Sequence, residues 1–221
     1  MNKKTVFAGP LCLTLLLVVL AVSMARPPVR IQPKPATDHT RAANQAVLKE
    51  LPFENRRDFE DAVRGLIAEL TGGRIVSRDG KRVRWDLNQY DFLEGEAPDT
   101  VNPSLWRQGQ LNLINGLFEV TDGIYQLRGL DLANITFIRG DTGWIIVDPL
   151  TVAETARTAL DMANKHVGQR PVRAVIYTHS HVDHYGGVRG VVSEEDIRSG
   201  KIQISKGKKR AEKKPWGNSQ E

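Results

Sequence analysis

Residues 172–187 read VRAVIYTHSHVDHYGG, and three of the chain's five histidines fall within six positions of this stretch. The run Val172 to Tyr177 is nearly all apolar and too short for a typical helix, so it fits a strand buried on both faces. Ligands in α/β proteins gather beyond the carboxyl ends of such strands, where loops bring polar groups together on a rigid base. His179, His181, Asp183 and His184 stand there. Neutral imidazole and carboxylate are donors that zinc accepts, and a catalytic zinc takes three protein ligands and keeps one position for water. His179 and His181 alternate, so on an extended segment they project alike and can grip one ion. Asp183 and His184 lie past the turn and can begin a second site about 3.5 to 4 Å away, the spacing of two-metal hydrolases. Gly186 and Gly187 are expected to let the backbone turn closely around the ions. The remaining histidines, His39 beside a proline-rich stretch and His166 near a helix end, read as ordinary surface residues.

Upstream, the pattern is that of a sheet being assembled. GLFEVTDGIYQLRG (116–129) reads as two strands around Thr121-Asp122-Gly123, and NITFIRGDTGWIIVDP (134–149) repeats the scheme around Gly140 to Gly143. Thr151 and Glu154 have capping-box spacing, and Val152, Ala156, Ala159, Ala163 and Val167 give a helix to about His166 its apolar face. Strand, helix and strand then form a βαβ unit with a parallel pairing. Earlier still, residues 38–115 read as a helical and irregular arm. One helix is expected over His39 to Leu51 and another over Arg57 to Leu70, where Phe59, Val63, Leu66, Ile67 and Leu70 share a stripe before Gly72 and Gly73. Residues 74–115 read as irregular, anchored by Trp85, Tyr90, Phe92 and Trp106.

The amino end carries Lys3 and Lys4, an apolar run from Leu11 to Val22, and small residues at Ser23 and Ala25. Residues 1–25 thus read as a secretory signal peptide, too short in its apolar part for a stable membrane span. RPPVRIQPKPAT (26–37) follows as a proline-rich tether. Cys12, the single cysteine, would leave with the signal peptide, so neither a disulfide nor a thiolate serves the mature chain. The sequence pI of about 9.4 comes from the two ends, which leave the middle mildly acidic. A nucleic-acid partner is therefore not expected. No G-x-G-x-x-G, P-loop or G-x-S-x-G is present, which leaves nucleotide cradles and serine-hydrolase elbows without support.

His179-x-His181-x-Asp183-His184 resembles the H-x-H-x-D-H signature of the metallo-β-lactamase superfamily, an αβ/βα sandwich carrying one or two metal ions. Asp148, ending the strand WIIVD, matches that superfamily's earlier aspartate, whose implied role is to support the metal loop. The motif alone admits lactamases, glyoxalase II enzymes, nucleases and sulfatases. LPFENRRDFEDAVRGL (51–66), VNPSLWRQGQLN (101–112), residues 116–150 and RPVRAVIYTHSHVDHYGGVRGVV (170–192) resemble, more narrowly, the zinc-dependent alkylsulfatases that hydrolyse dodecyl sulfate.

That resemblance implies an α/β fold, here the first part of a metallo-β-lactamase αβ/βα sandwich over residues 116–204 preceded by the helical arm. It implies two zinc ions, with His179 and His181 on the first and Asp183 and His184 on the second, and Asp183 also in catalysis. It implies a periplasmic or secreted enzyme acting on alkyl sulfate, and a homodimer built by a later domain. Members of the family continue for several hundred residues with further ligands. Here residues 205–221 turn basic and lose the likeness, so a truncated, inactive fragment is expected. Two alternatives remain: another hydrolase of the same fold, a lactamase or thioester hydrolase, and a non-enzymatic polyanion binder using Lys206, Lys208, Lys209, Arg210, Lys213 and Lys214.

Overall fold

A computed structural model describes residues 34–206. The signal-peptide reading, most of the tether and nearly all of the basic tail lie outside these residues. The chain divides after Thr37, and the unit that begins at Asp38 carries everything below. Among the described residues no helix is long and apolar enough to cross a membrane.

That unit is built on a seven-stranded sheet in the order β1-β4-β5-β6-β7-β8-β9. Four antiparallel neighbours form its centre: β4 (Gly116–Thr121), β5 (Ile124–Arg128), β6 (Ile135–Arg139) and β7 (Trp144–Val147). The two hairpins stand where their turn residues placed them. Alternation decides the inward face: Leu117, Leu127 and Ile135 lie side by side across three strands and are at most 1% exposed. After β7 the chain runs through a helix (Ala153–His166) to β8 (Val172–Tyr177), which pairs with β7 in parallel. Ala156, Ala159 and Ala163 of that helix are fully buried. Small side chains there let the helix axis lie close against the sheet's large residues.

The start of this helix differs from the capping box read in the sequence. Its N-cap is Val152, with no side-chain capping bond. Both expected partners are engaged elsewhere: the Thr151 hydroxyl donates to Asp131 Oδ1 at 2.5 Å, and Glu154 Oε1 accepts from Arg84 Nε at 2.9 Å. A buried carboxylate competes better for a hydroxyl than one backbone N–H does.

The arm also departs from expectation. Its first helix, α1 (Asp38–Glu50), stands as read, but the second, α2, is only Arg57–Ala62. Leu66 and Ile67, assigned to that helix by their spacing, instead lie in β1 (Leu66–Ala68), antiparallel to β4. The cause is Gly65, which has φ +77 and an absent side chain: a Cβ there would sit 2.2 Å from the Glu119 carbonyl oxygen. The stretch 74–115, read as irregular, holds a two-stranded hairpin of β2 (Arg74–Val76) and β3 (Val83–Asp86). It also holds α3 (Pro103–Asn112), capped by Asn102 accepting from Ser104 N–H and opened by Pro103. Trp85 and Trp106 anchor the arm through indole N–H bonds to the carbonyls of Gly129 and Gly95, at 2.7 and 3.0 Å. Tyr90 and Phe92, read as anchors, are exposed.

With the crossover helix as α4, a short α5 (Glu194–Arg198) leads to the edge strand β9 (Gln203–Lys206), which pairs in parallel with β8. Ser205 and Lys206, the first residues of the stretch read as a basic tail without family likeness, are the last two residues of this strand.

Candidate metal centre

The histidine loop leaves the carboxyl end of β8, beside the end of β7, and one residue ties the two ends together. Asp148 follows β7 in the left-handed region, φ 54, a conformation aspartate tolerates better than most residues. It is 7% exposed. Its Oδ1 accepts from Thr178 N–H at 2.8 Å, while Oδ2 accepts from the Thr178 hydroxyl at 2.6 Å and from His184 Nδ1 at 2.9 Å. Burial alone pushes the carboxyl pKa up, but the bonds from Thr178 and His184 outweigh it and hold the group below the usual carboxylate range. These bonds tie Asp148 to both ends of the stretch from Thr178 to His184.

These bonds set the proton positions on two imidazoles. A carboxylate accepts only, so His184 Nδ1 donates to Asp148 and the ring turns its Nε2 toward Asp183 Oδ2. The Thr178 hydroxyl spends its proton on Asp148, so its oxygen accepts from His179 Nδ1 at 2.9 Å. His179 therefore also offers Nε2. Thr178 has this role beside the motif, and the sequence reading passed over it.

The four motif residues form two pairs. His179 Nε2 and His181 Nδ1 are 3.1 Å apart, and Asp183 Oδ2 and His184 Nε2 are 3.3 Å apart. Two ligands about 2.05 Å from one tetrahedral zinc stand about 3.3 Å from each other. Each pair therefore has the separation of two ligands on one ion, and the donor set fits zinc in kind. The pairs adjoin, with the His179 and His184 ring centroids 4.0 Å apart. Among the described residues no group of three or more candidate ligands is arranged to hold an ion. His39 and His166 lie exposed on α1 and α4.

The loop is seated by backbone contact. Gly187 N–H donates to the Leu150 carbonyl at 2.8 Å, and a Cβ on Gly187 would lie 2.2 Å from the Pro149 oxygen and 2.6 Å from the Val152 oxygen. Its φ of −82 suits any residue, and what it supplies is the missing side chain. Gly187→Ala should force the metal loop off the 149–152 turn, at a cost of about 1 to 3 kcal/mol typical of overpacking. Urea denaturation of the two proteins checks it, and an unchanged midpoint would contradict the contact.

A second buried carboxylate, absent from the sequence-based candidates, braces the same turn from its other side. Asp131, 7% exposed, accepts from Leu132 N–H at 2.7 Å, Thr151 N–H at 3.2 Å, and the hydroxyls of Thr151 and Thr155 at 2.5 Å each. Its only signal in the sequence is an acid between two leucines.

Residues 128–216 match the model of the metallo-beta-lactamase superfamily. The chain is 58% identical over 173 residues to a linear primary-alkylsulfatase of a Pseudomonas species, covering 77% of this chain and 26% of that protein. It is 56% identical over 166 residues to an alkyl/aryl-sulfatase of Saccharomyces cerevisiae, covering 75% of this chain and 26% of that one. Among solved structures, that of the stereoselective inverting sec-alkylsulfatase Pisa1 from a Pseudomonas species superposes with a TM-score of 0.73 at 53% identity, over 78% of this chain and 27% of that chain. The chain thus spans about a quarter of the length of the relatives it matches.

Proposed function

We propose that this chain, whose fold is that of alkylsulfatases of the metallo-β-lactamase superfamily, supplies the histidine loop of a two-zinc centre that hydrolyses alkyl sulfate esters of the dodecyl sulfate kind. The observation that carries the reading is the pair of donor pairs, 3.1 and 3.3 Å apart, on a loop pinned by Asp148. In this reading His179 and His181 hold one ion and Asp183 and His184 hold the other. Bound zinc would supply positive charge to the sulfate oxygens and lower the pKa of a bound water.

The chain's own residues do the rest. Asp148, through Thr178 on one side and directly on the other, engages Nδ1 of His179 and of His184 and so orients their Nε2 atoms toward the site. The carboxylate of Asp183 would serve both as a ligand and as a proton acceptor for a metal-bound water. His179 and His181 are exposed, so an anionic headgroup reaches them without a conformational change. Residues 1–25 would direct the protein to the periplasm or the medium, a proposal that amino-terminal sequencing of exported protein tests: a mature start near Arg26 is expected, and an intact Met1 overturns it.

The activity is tested by transplant. Placing this chain's matching residues in the Pseudomonas linear primary-alkylsulfatase should preserve zinc-dependent sulfate release from dodecyl sulfate. Replacing His179 or His181 with alanine in that chimera should reduce it about a hundredfold or more. A folded chimera that opens β-lactams or thioesters but releases no sulfate would assign the loop to another hydrolase of the superfamily. With two donors per ion among its described residues, the isolated chain should bind zinc only weakly. Dialysis that leaves two zinc ions per chain would contradict that expectation.

A further inference from the structure

We infer that Asp131 is a positioning residue for the histidine loop, acting on His184 through the turn between β7 and α4. This rests on the metal-centre reading for its purpose, but its geometry stands in the metal-free chain. Asp131 is a buried carboxylate with four hydrogen bonds and, among the described residues, no cationic partner. An unpaired buried charge is costly to keep, and uncharged side chains of similar shape would fill the place more cheaply unless the hydrogen bonds hold something. What they hold is Thr151 and Thr155, at the end of the turn and the start of α4.

That turn stores strain. Asp148 and Leu150 both have positive φ, 54 and 61, and Leu150 is 1% exposed. A leucine in the left-handed region persists only where its surroundings over-determine it. Its carbonyl accepts from Gly187 N–H and its own N–H donates to the Asp148 carbonyl at 2.9 Å. The chain of contact is therefore short: Asp131 fixes Thr151, Thr151 fixes the strained Leu150, and Leu150 joins Asp148 to the far end of the histidine loop. Asp148 and Asp131 grip one four-residue turn from its two ends. Released by Asp131, the turn is expected to relax toward unstrained φ values and carry the Asp148 carboxylate off His184 Nδ1.

The test reads His184 rather than activity. In metal-free protein labelled with 15N at histidine, the His184 Nδ1 proton should exchange with water slowly, because Asp148 holds it. Asp131→Asn, which keeps shape but loses one acceptor, should speed that exchange at least tenfold and weaken cobalt(II) binding about tenfold, the scale on which outer partners of metal ligands act. Val172→Ala, a core change beside Trp144 at the opposite end of β7 and β8, serves as control: it should lower thermal stability and leave the His184 signal alone. An Asp131→Asn protein that is destabilised but keeps the wild-type His184 exchange overturns the inference. If Asp131→Asn fails to fold, Thr155→Val removes one of its bonds and is read in the same way. Altered His184 exchange with no cobalt binding by the wild-type chain would leave the positioning role intact and count against the metal-centre reading.

Discussion

Trp144→Ala is expected to remove a large share of the fold's stability. Trp144 is fully buried at the start of β7, with edge-on contacts to Tyr125 and Phe137 at centroid distances of 6.0 and 5.7 Å. Its indole N–H donates to Asn164 Oδ1 at 2.9 Å, tying the sheet to α4. Truncating a buried tryptophan costs about 3 to 5 kcal/mol, because the cavity it leaves collapses only in part. A domain of this kind is held by about 5 to 15 kcal/mol in all, so one change removes a large share. Trp144→Phe should cost roughly half as much, since it keeps a ring in the cavity and loses the indole bond. Urea denaturation followed by far-ultraviolet circular dichroism measures both. A loss below about 1 kcal/mol for the alanine variant would show that the core does not hinge on this residue.

Asp148→Asn is expected to have the largest effect on the site while sparing the fold. Asparagine matches aspartate in shape and tolerates the left-handed backbone at φ 54, so strain is not added. What changes is the partner of His184. An amide placed to accept from Thr178 N–H turns its NH2 group toward His184 Nδ1, and the imidazole must then carry its proton on Nε2. The lone pair meant for metal is lost, as when a triad aspartate becomes asparagine and the histidine takes the wrong tautomer. Cobalt(II) affinity should fall tenfold to a hundredfold, and wild-type affinity in the variant would refute the tautomer argument.

The same substitution carries a pH signature. Asp148 has a folded-state pKa lowered from its ordinary value, so its stabilising contribution is present above the unfolded-state pKa of about 3.9. That contribution is lost as pH falls through the lower, folded-state value. Wild-type stability should therefore drop on acidification below about pH 4, and Asp148→Asn should lack that part of the drop. Parallel curves for the two proteins would remove Asp148 from the account.

Local pattern determined a good deal of this protein. The two hairpins, the apolar strand Val172–Tyr177 and the helix with Ala156, Ala159 and Ala163 inward follow from periodicity and turn residues, which act within a few positions along the chain. The histidine cluster was legible for the same reason, since four donors lie within six residues of one strand end. Tertiary structure decided the rest. Leu66 and Ile67 lie on a helical stripe, yet the neighbouring strand and a side-chain-free Gly65 draw them into the sheet. Thr151 and Glu154 have capping spacing, yet Asp131 and Arg84 claim them from 20 and 70 residues away. The tautomers of His179 and His184 depend on a carboxylate that β7 brings beside β8, and Gly187 is needed because a turn from before α4 presses against it. Spacing records which residues a helix or strand would place together, whereas a hydrogen bond or a missing Cβ is fixed by whichever distant group the fold brings within about 3 Å.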